Sequence, residues 1–439
     1  MIPQWLIEKK RDGLELAADE IREFMDGYTQ GRIPDYQMAA LAMAVYFKGM
    51  SPAEISALTR AMVESGDTLT PGDASLPRLD KHSTGGIGDK VSLILAPLAA
   101  CCGLTVPMIA GRGLGLTGGT IDKLESIPGF RTDLTTAEFN AVLAACGCCI
   151  MSQTPRLCPA DRKLYGLRDV TGTVPSIPLI TASIMSKKLA ESLTGLVLDV
   201  KCGTGAFMRS PEQAGELARS LMAVGREMRL PVSALITAMD QPLGRAAGNR
   251  PEIAEAVLAL RGEGPDDLMA VTLALTARML RLAGKVGKDI EALPLLNGHI
   301  QSGAAEARFR AMVKAQGGSP GFLDEPAAIE ALAPCRDTIL SPADGWLQAA
   351  DAEAVGRACL LLGAGRSKTG DAVDPDAGVA GLLKVGEPVR KGQPLARLMA
   401  GDAARIAAAR PVLESAFIVS AKPVPVPKIL LADLGVNLP

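Results

Sequence analysis

An apolar strand that runs straight into a polar, glycine-bearing turn is the unit that most constrains this chain. "LTVPMIAG" (104–111) leads into "GRGLGLTGGT" (111–120), and "GLVLDVKCGTGAF" (195–207) and "PVSALITAMDQPLG" (231–244) repeat the theme. A short segment leads into a further glycine loop, "KHSTGGIGDK" (81–90). After it "DKVSLILAPLAACCG" (89–103) reads as a helix, and "TIDKLESI" (120–127) begins another. Such alternation predicts an α/β core with a mixed, parallel-rich sheet, because a helical crossover is what returns the chain to start the next parallel strand.

Elsewhere the period changes. From Gln4 to about Ser65 apolar residues recur at three and four, and "SPAEISALTRAMV" opens with the Ser, Pro and Glu of a helix start. "PADRKLYGLRDV" and "IPLITASIMSKKLAESL" share that character and are expected to pack back against the N-terminal helices. The organisation expected is a discontinuous small all-α domain (1–66 and 159–193), the α/β domain (75–158 and 194–335) and a C-terminal β-rich α+β domain (341–439). In the last, "VAGLLKVGEPVRKGQPLARLMA" alternates short apolar segments with glycine turns, and Lys384 lacks the hairpin motif of swinging-lysine carriers. A chain that crosses twice between two lobes is expected to bind its ligands in the cleft between them.

Bulk properties exclude several classes. A net charge of −2 over 439 residues, with both signs mixed, offers no extended surface for nucleic acid or membrane, so any attraction for anions is local. The long apolar run from Leu93 is interrupted by Pro97, Gly103 and Pro107 into helix, turn and strand. The N-terminus lacks the pattern of a signal peptide, and a cytoplasmic protein is expected. Nine cysteines in such a chain are expected to be reduced thiols. Cys146, Cys148 and Cys149 lie in an apolar segment without the paired spacing of a zinc site, and read as small core residues.

The glycine loops carry the chemistry. Backbone N–H groups where a loop enters a helix form an anion site, and glycine lets the backbone approach the ligand. Lys81, Ser83, Ser92 and Thr120 add donors suited to one tetrahedral oxyanion. Gly113, Gly115 and Gly118 satisfy a dinucleotide fingerprint on paper, but Asp133 begins what reads as a helix cap rather than ending a strand. No Walker phosphate loop is present, so a simple phosphate is the expected ligand. On the helical segment, Asp161, Tyr165 and Arg168 share one face, as do Ser183 and Lys187. Such stripes are commonly solvated surface; facing the phosphate loops, they would instead read a planar, partly anionic heterocycle.

"DKHSTGGIGDKVSL", "GRGLGLTGGTIDKLESIPGF", "PADRKLYGLRDVTGTVPSIPLITASIMSKK" and "VLDVKCGTGAFM" resemble the thymidine and pyrimidine-nucleoside phosphorylase family, nearly end to end. The resemblance implies cleavage of a pyrimidine nucleoside by inorganic phosphate, giving free base and pentose 1-phosphate. It implies a homodimer that closes like a hinge over both substrates and needs no redox cofactor. Lys81, Ser83, Ser92 and Thr120 would hold phosphate. Tyr165, Arg168, Ser183 and Lys187 would hold the base, with His82 beside its 2-carbonyl to donate a hydrogen bond or proton. His82, Arg168 and Lys187 are thus the expected catalytic groups.

Some members of that family bind a potassium ion through positions matching Gly88, Lys90, Leu243, Ala246 and Glu255. Lys90 replaces their threonine, so the ion is left open. Ala110 stands where a phosphate-binding serine is usual, and Leu116 where a histidine is frequent. Met108 matches the thymidine-specific branch, implying thymidine and deoxyuridine as substrates. The alternatives are a broad enzyme that also accepts uridine, a phosphoribosyltransferase like that for anthranilate, and a non-catalytic nucleoside-binding protein.

Overall fold

Four helices open the chain in the computed structural model, which describes residues 1–70, 75–113, 116, 118–366, 368 and 371–437. They are α1 (Pro3–Arg11), α2 (Ala18–Thr29), α3 (Asp35–Lys48) and α4 (Pro52–Glu64). Ser51 caps α4 as its sequence predicts: its backbone N–H donates to Glu54 Oε2 at 2.7 Å, while its Oγ accepts from the Glu54 N–H. Glu54 also takes Lys10 Nζ at 2.7 Å and the Leu16 N–H at 2.9 Å, so one buried carboxylate ties three segments of this lobe.

The α/β lobe follows with β1 (Leu79–Ser83), α5 (Val91–Cys101), β2 (Val106–Ala110), α6 (Thr120–Glu125), α7 (Thr136–Cys146) and β3 (Cys148–Ser152). α8 (Pro159–Thr171) and α9 (Ile177–Ala190) then leave it, and β4 (Gly195–Cys202), α10 (Pro211–Glu227), β5 (Val232–Ala238) and α11 (Arg250–Leu260) return. Leu164, Leu179 and Ala182 of α8 and α9 enter one apolar core with Leu6, Phe24, Tyr28, Val45 and Met62. β1, β4 and β5 pair in parallel, as do β2 and β3. Mutual hydrogen bonds, Leu79 N to Thr105 O and Thr105 N to Pro77 O, join β2 to β1, so the parallel strands run in the order β3-β2-β1-β4-β5.

Three connectors between the lobes lie side by side. The Asp67 N–H donates to Arg156 O, and the Leu69 N–H to Ala190 O, both at 2.7 Å. Cys158 and Ser192, in the second and third connectors, take φ of 45° and 55°, values uncommon outside glycine. A Cβ on Gly66 would stand 2.2 Å from Arg156 O, so only glycine permits the close approach of the first two.

Three local expectations are corrected. Pro97 and Pro107 interrupt nothing: α5 runs through Pro97 and β2 through Pro107, and the turn is made by Gly103 at φ 78°. α5 is buried along nearly its whole length, and that packing outweighs the hydrogen bond the proline removes. The cap of α7 is Thr135, two residues beyond Asp133. The C-terminal β-rich region does not span 341–439. Its strand Cys335–Leu340 begins earlier, pairing with Pro394–Ala400, and the last strand, Leu430–Asn437, leaves it to pair antiparallel with β5. That strand covers what would be an open parallel edge, and Arg278 clasps its Asp433 carboxylate. Among the described residues no helix is long and apolar enough to cross a membrane. Cys146, Cys148 and Cys149 are buried at the end of α7 and in β3.

Candidate active site

β1 ends at the cleft, and its two-residue alternation divides the site. Lys81 Nζ donates to Ser92 Oγ of α5 at 3.4 Å and lies 3.8 Å from the Asp89 carboxylate. Asp80, on the opposite face of the strand, pairs with Lys188 of α9. His82 shares that face. Burial, then the ammonium groups of Lys188, Lys187 and Lys81, push its imidazole well below the ordinary value, against the opposing pull of Asp89. Those ammonium groups disfavour the charged imidazole, and a neutral His82 still offers an N–H donor to a carbonyl.

The first glycine loop joins β1 to α5. Ser83 Oγ accepts the Gly85 N–H at 3.1 Å, and Asp89 Oδ1 accepts the Val91 N–H at the start of α5 at 3.2 Å. Burial alone would raise the Asp89 carboxyl, but Lys81, Lys201 and Lys123 together hold it far below the carboxylate range. Lys201 on β4 is itself fully buried beside Asp199, 2.7 Å away, and Asp199 Oδ1 accepts from Thr237. Asp89, Asp199 and Lys201 were not among the site residues read from the sequence. For Asp199 and Lys201 the signal is the run "LDVK" (198–201) on a wholly buried strand, where charges persist only if paired; Asp89 belongs to the first glycine loop.

The second loop departs from expectation. Its Gly113 and Gly119 N–H groups are not open to an anion: both donate to Asp122 Oδ2, at 2.7 and 2.9 Å. Asp122 Oδ1 in turn takes Arg366 of the C-terminal region at 2.7 Å. Of the paper fingerprint, Gly115 lies outside the described residues. The loop's remaining expected donor is the Thr120 hydroxyl at the start of α6. That helix is held to the first loop by Lys123 Nζ, which donates to Asp89 O at 2.8 Å. Leu116 packs toward Gly356 of the helix Ala352–Leu362, and half-buried Ala110 ends β2.

On the helical lobe the expected polar face is turned inward. Lys187 Nζ sits between Asp161 Oδ2 at 2.7 Å and Ser183 Oγ at 2.8 Å, with the Tyr165 ring centroid 5.8 Å away. Arg168 is only 1% exposed, and three of its five N–H groups are engaged: Nε with Thr173 O, Nη1 with Leu179 O and Nη2 with Val174 O. The guanidinium thus braces the turn between α8 and α9 and keeps two donors in reserve.

The five positions matching a potassium site also converge, but around an ammonium. Lys90 Nζ donates to Leu243 O at 2.9 Å, Ala246 O at 3.0 Å and Glu255 Oε2 at 2.6 Å. The oxygens that would coordinate an alkali ion are taken, so the residues present do not fit one.

Residues 4–66 match the glycosyl transferase family helical bundle domain, 76–306 its a/b domain, and 346–420 the pyrimidine nucleoside phosphorylase C-terminal domain. The chain is 47% identical over 422 residues to the thymidine phosphorylase of Mesorhizobium japonicum, covering 96% of both chains. The chain belongs to the thymidine and pyrimidine-nucleoside phosphorylase family. It is also 43% identical over 428 residues to the pyrimidine-nucleoside phosphorylase of Geobacillus stearothermophilus, covering 97% of this chain and 98% of that one. Among solved structures, anthranilate phosphoribosyltransferase from Thermus thermophilus shares the fold. Its TM-score is 0.56 at 21% identity, covering 71% of this chain and 98% of the other. That likeness is one of architecture.

Proposed function

We propose that the chain catalyses reversible phosphorolysis of pyrimidine nucleosides, with thymidine and deoxyuridine preferred, giving free base and pentose 1-phosphate. The observation that carries this reading is the split along β1. Lys81 turns toward Ser92 and the first glycine loop, while its neighbour His82 lies among the lysines of α9. In this reading the phosphate and base sites meet across two successive residues.

In this reading Lys81, Ser83, Ser92 and Thr120 hold phosphate, and Tyr165, Arg168, Ser183 and Lys187 hold the base. Breaking the glycosidic bond leaves positive charge on the sugar and negative charge on the pyrimidine. Lys187 and the two free N–H groups of Arg168 stabilise the departing anion, and neutral His82 donates to its 2-carbonyl. Phosphate, held across C1′, stabilises the cationic sugar and attacks it. The preference for thymidine and deoxyuridine rests on Met108, an apolar residue buried in β2 where the uridine-accepting branch tends to carry lysine.

A homodimer is part of the proposal, supported by the exposed Trp5, Tyr36 and Phe47 on α1 and α3. The deciding assay follows thymine release from thymidine with phosphate, with arsenate and with neither. Release is expected only with one of the two anions; an equal rate without either makes the protein a hydrolase.

A further inference from the structure

The cage around Lys90 is built for a cation of fixed position. Gly88 is essential to it: at φ 74°, a Cβ there would stand 2.5 Å from Leu243 O and 2.8 Å from Ala246 O. Gly244, at φ 73°, would place a Cβ 2.3 Å from Glu255 Oε2 and 2.9 Å from Lys90 Nζ. Both glycines are thus needed for the loop 242–246 to close over the ammonium. An ammonium has three N–H groups, and three acceptors are present, so no donor is wasted.

The surroundings favour a permanent charge. Burial opposes it, but Glu255, Glu252 and Asp267 outweigh burial and hold Lys90 above the ordinary lysine value. Glu255 is itself fixed, its Oε1 accepting the Arg245 N–H at 2.8 Å. A second lysine braces the same loop from the C-terminal region. Lys384 Nζ donates to Pro242 O and Gly244 O and pairs with Asp267 at 2.8 Å. Four carbonyls of one short loop, those of Pro242, Leu243, Gly244 and Ala246, therefore face two chain-borne ammonium groups. Lys90 also occupies the N-cap position of α5, immediately after the first glycine loop.

We propose that the Lys90 ammonium is a tethered replacement for a monovalent cation, locking the phosphate loop to the loop 242–246 and freeing this protein from any requirement for alkali ions. The ammonium is covalently attached, so its effective concentration does not vary with the medium. All three of its N–H groups are spent on this strut, and Lys90 is a positioning residue.

The test compares wild type and Lys90→Thr in potassium chloride and in choline chloride of equal ionic strength, choline being too large for the cage. Thermal midpoint and the phosphate KM are read together. For the wild type, neither is expected to differ between the salts. Lys90→Thr leaves a buried carboxylate and two carbonyls uncompensated in choline, and its midpoint is expected to fall by about 5 °C or more. Potassium is expected to restore the midpoint and the phosphate KM in a saturable manner. A wild type that loses stability or phosphate affinity without potassium overturns the proposal, and so does a Lys90→Thr protein as stable in choline as the wild type. If Lys90→Thr does not fold, the wild-type comparison still decides ion independence. Lys90→Met, apolar and of similar length, then tests the strut: it should lower the midpoint equally in both salts, and an unchanged midpoint overturns the proposal.

Discussion

Asp161, at the start of α8, holds the Lys187 ammonium of α9 at 2.7 Å, and the carboxylate is almost wholly buried while the lysine keeps an open side toward the cleft. The pair aims Lys187 instead of cancelling it: with Asp161 and Ser183 taking two of its three N–H groups, the third is left for a substrate. Asp161→Asn keeps the shape and removes the charge. Lost aim at the leaving base is expected to lower kcat/KM for thymidine by about 10- to 100-fold. The phosphate KM should stay where it is if phosphate is held from β1 and α5, as proposed. Steady-state kinetics with each substrate varied in turn checks this; an unchanged kcat/KM means that Ser183 alone positions the lysine.

How far the sequence displays such a site depends on the range of the interaction. Ser51, Pro52 and Glu54 are legible because a helix cap is local, and the shared face of Asp161, Tyr165 and Arg168 follows from helical period alone. The residues proposed for phosphate and base are readable only through long, family-specific motifs. Nothing local shows that Asp122 occupies the Gly113 and Gly119 amides, or that Arg168 spends three donors on its own turn. Those pairings are decided by which buried carboxylate or carbonyl stands nearest after folding. The last strand is similar. Leu430–Asn437 carries no period that sets it apart from the preceding β-rich region, and its place beside β5 comes from an edge in need of covering.

The charge around His82 sets a pH dependence. The folded pKa lies below the unfolded imidazole value of 6.5, so above that value the group is neutral in both states and its contribution to stability is complete. As pH falls below 6.5 the unfolded chain takes up a proton first, and the contribution is lost progressively down to the depressed folded pKa. Protonation in the folded protein would add a charge among Lys81, Lys187 and Lys188. The pH profile of kcat/KM for thymidine at saturating phosphate, read against that of His82→Gln so that the ionisation of phosphate itself cancels, is therefore expected to show no His82-dependent limb at 6.5 and to fall through His82 only on further acidification. His82→Gln retains an N–H donor and should keep more activity than His82→Ala, with the acid limb attributable to imidazole removed. An acid limb centred at the ordinary histidine value would show that His82 is not shielded as described.

Ala110 tests the proposed phosphate site, because the resemblance to the family implies a phosphate-binding serine at that position. It ends β2, and the following residue, Gly111, accepts the Ile121 N–H at 3.4 Å, which draws the start of α6 and Thr120 toward it. A serine here would add a hydroxyl at the end of β2, where alanine adds none. Lys90 cannot supply the missing donor, since its three N–H groups are committed to Leu243, Ala246 and Glu255. One hydrogen bond to a charged group contributes roughly 1.5–3 kcal/mol, which corresponds to about 10- to 100-fold in affinity. Ala110→Ser is expected to lower the phosphate KM toward that extent while leaving the order of preference among thymidine, deoxyuridine and uridine unchanged, because Met108 and the α8 and α9 residues proposed to read the base stay in place. Initial rates with phosphate varied at saturating nucleoside measure the first effect, and competition among the nucleosides the second. An unchanged phosphate KM would mean that the Thr120 hydroxyl or an ordered water already serves that oxygen. A changed nucleoside order would place residue 110 against the sugar, and the division of the site along β1 would have to be redrawn.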